Sequence, residues 1–351
     1  MLGGIEDILV EEPRSGKRNT GFDISIIIPS NHRHQDLLDL TLLVCNQSIK
    51  PAEIVIIDSS DERGECPRRI KDLCFQLAID LTYESVDHAY PGGARNIGIE
   101  HAKHQFIGFI DVRTSPRNDW LAVAMDLLKD HTVSGVWGRT NFKAETKLEK
   151  LTRDGFFGRN PRRTLPGTVL RKEAITIAGQ FIAWVRAGED TDWLQRITLS
   201  RLKFLDPPNA TINYSGLLNQ GLIELAKKWS RNYTASRVLP HLFPQKLFLW
   251  VTFYPILVLV ALNWNNLLAG WETQSIFYIP NITKIVAASP GLMYVLIRGI
   301  IMPLKRGVPI LETLPFRWLA IAAICAVGDG VKAAAFLIPK NITEYNAKGS
   351  E

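Results

Sequence analysis

The chain is poor in cysteine: four occur in 351 residues, Cys45, Cys66, Cys74 and Cys325, and no two have C-x-x-C spacing. That spacing excludes the common zinc and dithiol motifs. The four read as reduced thiols of a cytosolic compartment. The start, MLGGIEDILVEEPRSGKRNT, lacks the apolar core of a signal peptide. Residues 1–22 are expected to form a mobile arm. No G-x-x-x-x-G-K-[ST] run is present. The glycines of GGARNIG have neither G-x-G-x-x-G spacing nor a place directly after the first apolar run, so P-loop and dinucleotide readings are set aside. Internal repeats and low-complexity tracts are absent too.

Net positive charge is scarce as well, except at one end. The formal net charge is +6, and from Lys246 onward nine Lys and Arg face five Asp and Glu. Before Lys246 the remaining 32 and 30 nearly cancel. The excess therefore sits in long apolar runs. That distribution suits a membrane-facing segment and argues against nucleic acid, which needs a dense basic face on a soluble domain.

What is present begins with ISIIIPS, Ile24–Ser30, a β-branched run that suits a strand buried on both faces of a parallel sheet. A polar loop and a helical pattern through Leu37, Leu38, Leu40, Leu43 and Val44 follow. AEIVIIDSSD repeats the theme and ends a strand at Asp58. DLTYESV is a third strand, PGGARNIGIEHA a helix after a glycine turn, and FIGFID a further buried strand ending at Asp111. Strands alternating with helices predict a doubly wound α/β sheet. Ligands of such sheets sit beyond the carboxyl ends of the strands. Ser30, Asn31, Arg33, Asp58, Ser59, Asp61 and Asp111 all fall there.

Four stretches in order, SIIIPSNHRHQDLL, IVIIDSSD, GGARNIGIEHAKHQFIGFIDVRTSPRNDWL and AGEDTDWLQRI, resemble family 2 glycosyltransferases with the GT-A fold. The resemblance covers Asp23 to Pro240. It implies an inverting transferase that uses a nucleotide-diphospho-sugar. It implies a GT-A type, doubly wound, mostly parallel sheet over residues 23–240, followed by membrane-anchoring helices over 241–351.

The resemblance also assigns roles. Pro29, Arg33, Asp58, Arg95, Asp111 and Arg113 are the expected nucleotide-sugar-binding residues, Asp58 towards base or ribose. The bland reading of Asp58 is a loop cap, and of Arg95 a salt bridge to Glu100 or another surface carboxylate. Ser59 stands where a second aspartate is frequent in the family. Asp111 matches the first aspartate of the D-x-D motif and is the candidate metal ligand. The second position is Arg113, whose guanidinium has no lone pair for a metal. It can instead offer a fork of N–H donors to phosphate oxygens. A Mg2+ or Mn2+ cofactor is therefore in doubt. The alternative for Arg113 is a pair with Asp119. In GEDTDW the catalytic base maps to Asp190, with Glu189 beside it. The alternative is an acidic first turn of a helix, with Asp192 as cap. Asn118 and Asp119 start a helix at Trp120. Trp229 and Arg231, in a stretch with five basic and no acidic residues from Leu225 to Lys246, are expected on the acceptor side, or else on a helix lying on anionic headgroups.

Two membrane spans are expected, Leu247–Trp264, kinked at Pro255, and Ile285–Met302, with Arg298 snorkelling. A third apolar run after Phe316 is interrupted by Asp329 and Lys332, and is either spanning or interfacial. Basic residues before the first span and at Lys305, Arg306 and Arg317 predict a hairpin with the transferase domain cytoplasmic. The expectation is an integral membrane enzyme of a bacterial inner membrane. Its partners are a nucleotide-sugar donor, a polyprenyl-phosphate or lipid-linked glycan acceptor, and membrane lipids. A second reading is a catalytically silent GT-A domain that binds a nucleotide-sugar or scaffolds a membrane assembly.

Overall fold

The computed structural model describes residues 23–31, 34–60, 64–216, 221–236, 239 and 245–337. The expected arm 1–22, Arg33 and Asp61 lie outside them. Among the described residues the strands are β1 Ile24–Ser30, β2 Glu53–Asp58, β3 Asp80–Ser85, β4 Phe106–Phe109, β5 Thr114–Pro116, β6 Gly135–Phe142, β7 Arg162–Arg171, β8 Phe204–Leu205 and β9 Ile212–Tyr214. The helices are α1 His34–Cys45, α2 Arg68–Gln76, α3 Pro91–His101, α4 Trp120–Leu127, α5 Lys147–Thr152, α6 Glu173–Ala178, α7 Glu189–Leu199, α8 Gly221–Ser236, α9 Gln245–Ala269, α10 Ile282–Leu296, α11 Met302–Lys305, α12 Ile310–Thr313 and α13 Arg317–Leu337.

The chain divides into two compact units. One comprises the chain through Thr140 with Arg163–Trp184 and Arg196–Asn213. The other comprises Asn141–Arg162, Val185–Gln195 and the chain from Tyr214.

The first unit is built on the expected sheet, whose order is β3-β2-β1-β4-β7-β6-β9-β5, with β8 beside β6. β1, β2, β3 and β4 run parallel, and β7 is antiparallel to β4. The apolar run of β1 divides by the two-residue period of a strand. Ile24, Ile26 and Ile28 join Leu37, Leu40 and Val44 of α1 in one core. Ile27 lies against α3, where a Cβ added to Gly98 would come within 2.6 Å of its Cγ2. Only a residue without a side chain lets α3 approach so closely. Gly92 and Gly93, expected as a turn before α3, are instead its second and third residues. The helix begins three residues earlier, at Pro91, which suits the first helical position, where its missing N–H has no partner to lose.

In the second unit the helices carry the apolar surface. Ile282–Lys305 and Arg317–Ala335 are long and apolar enough to cross a membrane, with mean hydropathy 1.8 and 1.5. The second of these is the segment expected to be weakest. Asp329 does not interrupt it, because Arg298 pairs with it from the neighbouring helix at 2.8 Å. Arg298 thus turns inward rather than snorkelling. α9 is continuous through Pro255, and its described apolar stretch, Phe253–Ala269, is shorter. Asn265 ties α9 to the loop that follows, with both Nδ2 and Oδ1 on the backbone of Ile279 at 3.0 Å. The four cysteines are free and buried.

Candidate active site

The strand register brings Ser30, Asp58 and Ser85 level at the carboxyl ends of β1, β2 and β3. Asp111 follows β4 by two residues on the same edge. Parallel pairing alone produces this gathering, since every β-strand of the set points the same way.

Asp58 is almost fully buried and both its oxygens are held. Tyr83 Oη donates to Oδ2 at 2.7 Å, and Ser60 Oγ to Oδ1 at 2.7 Å. Burial, and then the bond to Asp58, push the Tyr83 phenol above its ordinary range, so it stays a donor. Asp58 is therefore a fixed acceptor with lone pairs to spare. Ser59 has a structural use: its Oγ donates to Ser30 O at 3.1 Å, and Asn31 Nδ2 donates to Ser59 O at 2.7 Å. An aspartate there could not make the hydroxyl bond to Ser30 O. Pro29 stands half-buried near the end of β1, opposite Ile57.

Asp111 accepts from Arg95 Nη2 at 2.8 Å, a pair in which the arginine side chain is 3% exposed and the aspartate 38%. Arg95 also lies over the Phe181 ring, 5.6 Å from its centroid. The carboxylate that Arg95 meets is thus the motif aspartate. Phe181 is drawn in by Asn96, whose side chain bonds the Phe181 backbone in both directions, at 2.8 and 2.9 Å.

Arg113 sits exposed on the turn that Thr114 closes onto Asp111 O. It has no ion-pair partner among the described residues. Asp119 is taken by Arg117 through both carboxylate oxygens, at 3.0 and 3.1 Å. Helix α4 begins at Trp120 as expected, with Asp119 at the cap position but its side chain committed to Arg117.

Among the described residues no three His, Cys, Asp or Glu side chains gather as a metal site. One oxygen of the Asp111 carboxylate carries Arg95. Magnesium-class ions are bound through one or two carboxylates completed by phosphate oxygens. Asp111 by itself meets the lower limit of that set.

Glu189, Asp190 and Asp192 all fall in the first turn of α7, in the second unit. Glu189 and Asp192 are buried, and the Asp192 N–H bonds Gly188 O at 2.9 Å. Asp190 is half-buried, and its Oδ1 accepts from the N–H and hydroxyl of Thr191 at 2.7 and 3.2 Å. The positive end of the helix favours such acids. In the same unit Trp229 packs on Phe156 with centroids 4.5 Å apart, while Arg231 is exposed.

Sequence reasoning missed Tyr83, Asn96 and Phe181. Tyr83 had a signal, since its register partner on β2 is two residues from Asp58. Phe181 had none, being 85 residues from Asn96.

The mostly parallel sheet, with Asp58 and Asp111 at the carboxyl ends of β2 and β4, has the GT-A fold. The family model described as Glycosyl transferase family 2 matches residues 25–190, and that stretch is a family 2 glycosyltransferase domain. The chain is 24% identical over 209 residues to the pre-mycofactocin glycosyltransferase of Mycobacterium tuberculosis, covering 54% of this chain and 42% of that one. It is 23% identical over 189 residues to the glycosyltransferase AglE of Haloferax volcanii, covering 50% and 61%. The chain thus spans about half the length of the curated relatives it matches. A solved mannosyltransferase, PcManGT of Pyrobaculum calidifontis in complex with GDP-Man and Mn2+, superimposes with a TM-score of 0.48 at 14% identity, over 89% of this chain and 87% of that one.

Proposed function

We propose that the chain is a membrane-anchored inverting glycosyltransferase. It moves a sugar from a nucleotide-diphospho-sugar to a membrane-associated acceptor, a polyprenyl phosphate or a lipid-linked glycan. The observation that carries the reading is Asp111 at the end of β4, held by the buried Arg95. Related glycosyltransferases support the chemistry, and the helices support the anchor. Large apolar side chains are exposed along the described part of α9, the following loop, α10 and α13, from Phe253 to Val327. In water, apolar patches of that extent are rare on a monomer. The domain boundaries proposed are 23–240 for the transferase and 241–351 for the anchor, with the transferase cytoplasmic and the membrane a bacterial inner one.

In the proposed reaction Asp58 holds the base or ribose, and Asp190 takes the proton of the acceptor oxygen, a glycan hydroxyl or the remaining P–OH of a polyprenyl phosphate. The acceptor oxygen forms its bond to the anomeric carbon as the bond to the diphosphate oxygen breaks. The nucleoside diphosphate leaves, and the anomeric configuration inverts. Arg113 supplies positive charge to the leaving diphosphate. A divalent cation, where bound, would add the same charge stabilisation beside Asp111.

The test is a hydrolysis and transfer screen across nucleotide-sugars with the full chain in detergent. One donor is expected to be consumed. Asp190→Asn should bind that donor normally and transfer nothing, because the amide keeps shape but accepts no proton. Near-normal turnover by Asp190→Asn would move the role to Glu189. Donor binding without any turnover in the parent chain would favour the silent, scaffolding reading that Arg113 and Ser59 raise.

A further inference from the structure

The second unit contains a concentration of positive charge around the π-turn Arg153–Phe157. On one side the charge is nearly matched. The fully buried Asp154 takes Arg153 Nε at 2.9 Å, Arg317 Nη2 at 2.7 Å and Arg159 Nη2 at 3.4 Å, and Glu312 adds a second acid next to Arg159 and Arg317. On the other side it is not. Lys332 Nζ stands 4.4 Å from the Phe156 ring centroid and the Arg298 guanidinium 5.2 Å from it. Arg306 Nη1 donates to Gly155 O at 2.7 Å, and Arg162 Nη1, at the exposed rim, to Phe156 O at 3.2 Å. Asp329 is the carboxylate here, shared by Arg298 at 2.8 Å and Lys332 at 3.3 Å, with Tyr294 Oη also on it at 3.0 Å.

Four cations thus face one acid. Arg306 and Arg162 bond carbonyl oxygens, which satisfy hydrogen bonds but cancel no charge. Burial, and then the charges of Arg162 and Arg298, lower the affinity of the Arg306 guanidinium for its proton. Half-buried like charges repel, and the arrangement becomes favourable when an anion enters it. The Lys332 ammonium is also enclosed by Trp229 at 5.3 Å and Tyr233 at 5.4 Å, contacts that keep it directed rather than solvated. Gly155 permits the close packing, since an added Cβ would be 2.6 Å from Cys325 Sγ.

The surroundings select the kind of anion. Arg306 directly follows the apolar stretch Ile282–Lys305. On the same stretch the apolar side chains Leu292, Met293, Leu296 and Ile301 are exposed. A cationic seat beside a helix that also carries exposed apolar side chains matches an amphiphile with a phosphate head. We propose that Arg298, Arg306 and Lys332, with Arg162 at the rim, seat the phosphate headgroup of an isoprenoid-phosphate acceptor. The proposal rests on the membrane-acceptor reading above and gives Trp229 a defined place on the acceptor side, beside Lys332.

Binding tests this without turnover. The full chain in uncharged detergent is titrated with farnesyl phosphate, farnesol, inorganic phosphate and phosphatidylglycerol, read by tryptophan fluorescence and calorimetry. Farnesyl phosphate should bind at least about tenfold tighter than each of the others, the head being worth at least two charge-assisted bonds. Arg306→Gln and Lys332→Gln should each remove most of that preference, and Arg306→Lys should keep much of it. If the glutamine variants do not fold, Arg162→Gln, at the exposed rim, should still weaken farnesyl phosphate and leave farnesol unchanged. Equal binding of farnesol overturns the seat. Equal binding of inorganic phosphate makes it a free-phosphate site, and equal binding of phosphatidylglycerol a general anionic-lipid contact; either overturns the acceptor assignment. A chain that binds the probe yet consumes no donor defeats the proposed activity and not the seat. Normal transfer with unaltered probe binding in all the variants defeats the seat and not the activity.

Discussion

Strand β2 carries a buried carboxylate at each end, and only Asp58 is at the ligand edge. Glu53, at the other end, is fully buried. Ser25 Oγ donates to its Oε2 at 2.6 Å and the Lys103 N–H at 3.0 Å, while Lys103 Nζ stands 3.4 Å from Oε1. Glu53 thereby ties β1 and the chain after α3 to β2. Burial opposes its charge, but the Lys103 N–H, the Ser25 hydroxyl and the Lys103 ammonium outweigh that and hold the carboxyl below its ordinary range. A hydrogen bond to a charged group contributes about 1.5–3 kcal/mol, and removing one partner from a buried charged network costs about 3–5 kcal/mol. Glu53→Ala should therefore destabilise the first unit by about 3–5 kcal/mol, and Glu53→Gln, which keeps the shape, by about 2 kcal/mol. The folded pKa lies below the unfolded one, so the charge contributes fully above the unfolded value of about 4.3 and is lost as pH falls through the folded value. Guanidinium unfolding in detergent, followed by tryptophan fluorescence, measures this, since Trp120 is buried in the same core. The gap between wild type and Glu53→Gln should close in acid. A loss under about 1 kcal/mol for Glu53→Ala, or a gap constant from about pH 8 to about pH 3, would refute the assignment of Glu53 as a charged brace.

Two further outcomes test the site and the anchor. Arg113→Ala should lower turnover by about a hundredfold, the lower bound for one charge-stabilising donor, while chelation leaves the parent chain substantially active. A silent Arg113→Ala together with activity abolished by chelation would instead place an ordinary metal at Asp111. Reporters fused after Gly270 and after Arg306 should fall on opposite sides of the membrane, the second cytoplasmic, because Lys and Arg crowd that flank; both on one side would rule out a hairpin.

Much of this protein was legible in one dimension. The runs ISIIIPS, EIVIID and FIGF are too apolar for a strand with a wet face, so a sheet covered on both sides follows from hydrophobicity alone. Asp58 and Asp111 could be picked out because each is the first polar residue to interrupt such a run, and a buried parallel strand ends where its side chains turn polar. The GEDTDW helix start was readable from its acids. Pairing decided the rest. The sequence shows Arg95 as a basic residue with a choice of acids, and only the approach of α3, permitted at Gly98, brings it to Asp111. Likewise Asp329 and Lys332 read as interruptions of an apolar run. They are tolerated because Arg298, 31 residues earlier, pairs with Asp329. Local pattern reports each side chain's cost of burial, whereas the partner that offsets the cost is a matter of distance in space. That distance is set by how helices and strands pack, which no short window of sequence contains.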